Sequence, residues 1–198
     1  MKKILILGDS FAADWSVKYK DYMGWPNLLK EKYEVTNLAQ AGVGEYKIYK
    51  QLLDVNNIEY YDCVIISHTS PFRVHTRNHP IHKNDSLHSN ADLIYGDIEY
   101  HYYTKWYNFF NKGLKAAFSY FKFHFDIDFY ETTYWLYRNE IERKLSDTKT
   151  IVIDNFHNNK GTLNFTDMYP EYSGKINHFS KEGNHIIFDL LVKEIQKI

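Results

Sequence analysis

Ile4-Leu5-Ile6-Leu7, broken at once by Gly8-Asp9-Ser10, is the stretch that most narrows what this chain can fold into. Four consecutive aliphatic residues read as a strand buried on both faces, the signature of a parallel strand inside an α/β domain. The glycine lets the chain turn sharply where the strand ends, so the next side chains emerge at the sheet edge. Ser10 is thereby a candidate nucleophile, in a turn with the physics of a nucleophile elbow although the G-x-S-x-G spelling is absent. An ordinary first strand and βα turn would look the same over these residues, so the remaining chain has to separate the two readings.

Downstream, strands alternate with helical segments. Trp25, Leu28, Leu29 and Tyr33 recur at helical spacing behind Pro26, and Val35-Thr36-Asn37-Leu38 reads as a second strand ending in the small-residue loop Ala39-Gln40-Ala41-Gly42-Val43-Gly44. Tyr46, Tyr49, Leu52 and Leu53 mark a short helix, and Cys63-Val64-Ile65-Ile66-Ser67 a third strand followed by His68-Thr69-Ser70-Pro71-Phe72-Arg73. Residues 74–92 form a long polar loop rich in histidine. About 95–145 is an aromatic, helical insertion or cap, broken near Asp126-Ile127-Asp128, with Phe129, Thr133, Tyr137, Ile141 and Leu145 on one stripe. Thr150-Ile151-Val152-Ile153 supplies a fourth strand. Ser180 is placed to cap a last helix that turns Ile186, Ile187, Leu190, Leu191 and Ile195 inward. The pattern predicts one domain over 1–198, a three-layer α/β/α, flavodoxin-like fold with a mainly parallel sheet.

The charge balance, 24 Lys+Arg against 25 Asp+Glu, leaves no broad basic footprint for nucleic acid or an anionic membrane. The single cysteine, Cys63, falls inside a strand and excludes an internal disulfide. The apolar run after Lys2-Lys3 is too short for a signal peptide, and no stretch has the length of a membrane span, so the expectation is a soluble, cytoplasmic protein. Aromatic residues make up 18% of the chain, which suits extensive half-buried surface or a face for a sugar-like ligand. Tyr102 and Trp106 are candidates to overhang such a site.

In a parallel sheet the C-terminal strand ends share one edge, where ligands collect. Ser10, Gly42 and Thr69-Ser70 follow the first three strands there, and His178, just before the last helix, returns to the same edge. A serine needs a base to take its proton, and histidine has the pKa for that task. Backbone N–H groups at Ser10 and Gly42 suit a developing oxyanion. An acyl-transfer site is thus chemically coherent, with Asp9 and Arg73 as candidate substrate-binding residues.

Gly8-Asp9-Ser10 near the N-terminus, Asn37-Leu38-Ala39-Gln40-Ala41-Gly42, and His178-Phe179-Ser180-Lys181-Glu182-Gly183 before the last helix resemble, in that order, the SGNH (GDSL-type) hydrolases, a flavodoxin-like esterase and lipase superfamily. The resemblance covers the sheet scaffold but not the aromatic block at 95–145. It implies Ser10 as nucleophile, His178 as general base, and Gly42 with the Ser10 backbone as oxyanion donors. Two departures stand out. The family's oxyanion asparagine after the third strand is missing, leaving the hydroxyls of Thr69 or Ser70 as substitutes. Its acid, three residues before the histidine, is replaced by Lys175, with Asp154 and Asp167 as alternatives.

The expected activity is therefore a serine esterase removing a small acyl group, an acetyl for preference, from a carbohydrate or related small-molecule ester. No cofactor is expected. His75, His79, His82 and His88 lack the helix-face spacing and thiolates of a zinc site, so no metal is expected either. A Rossmann dinucleotide site lacks its repeated glycines. The rival reading is a binding protein for a glycan or acylated ligand on the same scaffold, catalytically impaired by the two departures.

Overall fold

A computed structural model describes residues 1–20, 22–104, 110–157, 162–174 and 178–198. Four strands, β1 (Lys3–Gly8), β2 (Glu34–Asn37), β3 (Cys63–His68) and β6 (Thr150–Asp154), form one parallel sheet in the order β2-β1-β3-β6. Leu5 lies opposite both Thr36 and Val64, and Ile65 opposite Ile151. Two short antiparallel strands, β4 (Arg73–Val74) and β5 (Leu93–Ile94), pair apart from it.

Because side chains alternate across a strand, the aliphatic runs feed two cores at once. Ile4, Ile6, Ile65 and Ile153 face α1 (Trp25–Leu29) and α7 (Lys181–Lys197). Leu5, Leu7, Val64 and Ile66 face α2 (Glu45–Leu53) and the end of α5 (Ile127–Lys144). That is the three-layer α/β/α arrangement expected from the sequence. The thiol of Cys63 is fully buried in the first core, and burial pushes its pKa up to about 11. No described helix is long and apolar enough to cross a membrane.

The aromatic block divides. α5 joins the sheet's helical layer, whereas α3 (Tyr95–Thr104) and α4 (Lys112–Phe123) pack with β4 and β5 around Val74, Leu93, Ile98, Leu114 and Phe118. The break near 126 is real: Asp126 caps α5, its Oδ1 accepting from Phe129 N at 3.1 Å. A short α6 (Tyr169–Tyr172) precedes α7, whose cap is Ser180 Oγ, accepting from Gly183 N at 3.2 Å.

Two helix faces differ from the periodic expectation. On α5 the buried stripe is Tyr134, Arg138, Ile141 and Leu145, and Phe129 is exposed. The stripe is displaced because a buried arginine occupies it, its Nη1 donating to Asp154 on β6. On α7 the face runs Gly183, Asn184, Ile187, Phe188, Leu191, Val192 and Ile195, with Leu190 outside it at 38% exposed. Asn184 belongs to this face with its side chain accepting from Trp25 N at 2.9 Å, which ties α7 to α1.

The end of β1 depends on Gly8. Its φ of +149° lies where L side chains are strained, and a Cβ there would sit 2.7 Å from Ser67 O and 2.8 Å from Ser67 Cβ. Gly8→Ala is expected to cost about 1–3 kcal/mol or more in urea unfolding. A change within about 0.5 kcal/mol, the range of an ordinary surface substitution, would mean β1 and β3 part easily.

Candidate active site

The turn after β1 is clamped from all sides. Gly8 N donates to Gln51 Oε1 at 2.8 Å, and Gln51 Nε2 donates back to Gly8 O at 3.0 Å. Trp15 Nε1 donates to Ser10 O at 2.7 Å, and Trp25 Nε1 to Phe11 O at 2.8 Å. Asn37, from the second motif, donates from Nδ2 to Ala12 O at 2.9 Å while its Oδ1 accepts from Ala39 N at 2.9 Å. Ser10 is thus presented on a backbone that has little freedom to move.

Asp9 points inward. It is fully buried, and its Oδ1 accepts from Phe11 N at 3.0 Å and from Ser67 Oγ at 3.3 Å. Burial pushes its pKa up to about 6, against the pull of Arg73, the Phe11 N–H and the hydroxyls of Thr69 and Ser67. Arg73 Nη2 lies 3.6 Å from Asp9 Oδ2, too far for a hydrogen bond. Asp9, expected as a substrate contact, thus lies beneath the turn with its carboxylate bonded to the Phe11 N–H and the Ser67 hydroxyl.

Ser10, Gly42, Arg73 and His178 line one cavity of about 620 Å³. Trp15, His79, His82, His88 and Asp97 line it as well. The imidazole of His178 is held between aromatic rings, its centroid 5.1 Å from Phe11 and 4.2 Å from Trp15. Its neighbour Phe179 is core, and Phe179 O accepts from Tyr22 OH at 2.9 Å. Gly42 has φ +79°, and a Cβ would come within 2.7 Å of Ala91 Cβ. Gly42 O accepts from Asp92 N at 2.9 Å, which pins its loop to the histidine-rich one.

The other sequence candidates go elsewhere. Thr69 is fully buried beside Asp9, its N–H directed at Glu45 Oε2 at 3.4 Å. Ser70 lines a neighbouring cavity. Lys175 and Trp106 lie outside the described residues. Tyr102 stacks on Phe118 at 4.0 Å within the insertion, while Tyr100 lines the cavity. Asp154 accepts from Arg138 and from Phe156 N and His157 N, and Asp167 sits exposed in a 3₁₀ turn. Trp15 and Asp97 are cavity residues that the sequence reading missed. Only the position of Trp15 just beyond the serine turn hinted at its place.

His79, His82 and Asp97 approach each other closely enough for metal ligation, with candidate ligand atoms within 4.8 Å. The tautomer of His79 opposes it. His79 Nδ1 accepts from Ile81 N and His82 N, both at 3.2 Å, so the neutral ring keeps its proton on Nε2 and offers no lone pair there. Burial, aided by His82, holds the His79 pKa down to about 4 from 6.5. Between those values an unfolded chain takes up a proton that the folded one refuses, so His79 removes stability as the pH falls through that window. Asp9 does the reverse, since its folded carboxyl accepts a proton near 6 and its unfolded one only near 3.8. The His79 contribution therefore shows as a difference between proteins. His79→Asn, which keeps a side-chain acceptor for the turn, is expected to lose less stability than the wild type from pH 6.5 to 4. Parallel stability profiles would contradict a neutral His79.

No family model matches the chain, and no curated protein matches it. Solved structures are similar at low identity. A psychrotrophic esterase from Pseudoalteromonas sp. is 14% identical over 100% of this chain and 98% of its own, with a TM-score of 0.46. A lipase/acylhydrolase from Enterococcus faecalis is 15% identical over 100% and 96%, at 0.44. An acetylxylan esterase from Geobacillus stearothermophilus is 11% identical over 98% and 94%, at 0.42. At this level of similarity the assignment of the site rests on the chain's own residues and geometry.

Proposed function

We propose that the chain is a serine ester hydrolase of the SGNH type that removes a small acyl group, an acetyl for preference, from a carbohydrate or related ester. The observation that carries this reading is that Ser10, Gly42 and His178, from segments far apart in sequence, share one cavity at the C-terminal edge of a parallel sheet. His178 takes the Ser10 proton, Ser10 Oγ attacks the acyl carbonyl, and the N–H groups of Ser10 and Gly42 receive the oxyanion. His178 then protonates the leaving alcohol, and water activated by the same imidazole releases the acyl group. The aromatic and polar walls of the cavity suit a sugar better than a long acyl chain. A series of aryl esters tests this: acetate and propionate should turn over well ahead of laurate. No hydrolysis of any of them would leave the binding-protein reading, which the lysine at position 175 and the missing oxyanion asparagine favour.

A further inference from the structure

Arg73 belongs to two cavities. Beyond the one that holds Ser10 lies a second, of about 690 Å³, whose walls include Arg73, Arg77, Tyr46, Thr133, Tyr134 and Tyr137. Two structural features press Arg73 between them. β4 fixes its backbone, pairing it with Ile94. Gly44 lets its side chain in close, since a Cβ there would stand 3.2 Å from Arg73 Cβ.

The Arg73 side chain is only 9% exposed, and its Nε and Nη1 have no hydrogen-bond partner among the described residues. Buried guanidinium donors are rarely left so. The carboxylates around it balance its charge without meeting its donors. Glu45 Oε1 lies 2.6 Å from His68 Nδ1. Asp92 accepts from Gly44 N at 2.7 Å and Thr76 N at 2.9 Å, and pairs with Lys47 Nζ at 2.7 Å. Asp9 is the 3.6 Å neighbour on the side of the serine.

The two cavities share Arg73 and Asp92 but differ in their other charged side chains. On the Ser10 side the neighbour of Arg73 is Asp9, fully buried beneath the turn, and the cavity there is lined by Asp97, which pairs with His82 Nε2 at 3.0 Å. On the far side both lining carboxylates are already engaged, and Arg77 stands exposed at the wall with no ion-pair partner among the described residues. Tyrosine rings line the same cavity, with Tyr46 and Tyr137 centroids 5.2 Å apart. Unpaired arginine donors and aromatic rings in the walls of one cavity fit a ring-shaped ligand that carries negative charge.

We infer that this second cavity binds an acidic sugar, with Arg73 and Arg77 holding its carboxylate or phosphate and Tyr46 and Tyr137 packing on its ring. The inference rests on the esterase reading only in making that sugar part of the substrate, placed across Arg73 from the serine. Binding to Ser10→Ala protein by calorimetry tests it apart from catalysis, with trigalacturonate, glucose 6-phosphate and neutral xylotriose as probes. At least one acidic probe should bind on the order of tenfold tighter than xylotriose, weaken with salt, and weaken several-fold again in Arg77→Ala. Which acidic probe binds distinguishes carboxylate from phosphate as the recognised group. Arg77 is exposed, so that variant is expected to fold, and Tyr137→Ala should weaken the same probe. Equal binding of xylotriose, no binding of any probe, or indifference to Arg77→Ala would overturn the inference. Aryl acetate turnover by the wild type reports on the esterase reading separately.

Discussion

Ser10→Ala and His178→Ala are each expected to lower kcat/KM for an aryl acetate by roughly 10³-fold or more, with the double variant falling little below the worse single. The non-additivity is the informative part. A nucleophile without its base and a base without its nucleophile are equally idle, so the two losses overlap. Both variants should fold: Ser10 gives its carbonyl, not its hydroxyl, to Trp15, and the His178 backbone is fixed through Phe179 and the α7 cap. Losses that multiply would mean that the two residues do not act on one reaction. Loss in His178→Ala alone would point to a base serving a different nucleophile.

The largest expected loss of stability is at Arg138. Its side chain is 2% exposed and Asp154 is fully buried, so α5 and β6 are joined by an ion pair shielded from water. Arg138 Nη1 also donates to Tyr134 OH at 3.0 Å, and Nε to Glu142 Oε1 at 3.1 Å. Removing one partner of a buried pair leaves a charge that low dielectric penalises, so Arg138→Met is expected to cost about 3–5 kcal/mol in urea unfolding. The consequence reaches the site, because α5 carries Tyr134 and Tyr137 into the second cavity. A loss below about 1 kcal/mol, the value of an exposed pair, would show that Ile141 and Leu145 alone hold α5 to the sheet.

Much of the scaffold was legible because β1, β3 and β6 are unbroken aliphatic runs, which a sheet covered on both faces demands. β4 and β5 were not, since two-residue strands carry no periodicity. Arg138 hid the face of α5: a hydropathy pattern assigns arginine outward and cannot see the Asp154 that pays for its burial. That Ser10, Gly42 and His178 meet at one cavity was readable because turn glycines and a residue just before a capped helix leave local marks. Asp9 and Thr69 looked like edge residues by position, yet β1 and β3 fold them under the turn. Arg73 was nominated for substrate from its charge alone, and its place between two cavities depends on β4 and Gly44, which only tertiary structure reveals.

Under the proposed function, Ser10 is a nucleophile activated within this cavity. Treating the protein with a fluorophosphonate and locating the adduct by peptide mass spectrometry tests it most directly. A single adduct on Ser10, absent from Ser10→Ala and sharply reduced in His178→Ala, is the predicted result. An unlabelled wild type, or equal labelling of Ser10→Ala, would contradict it.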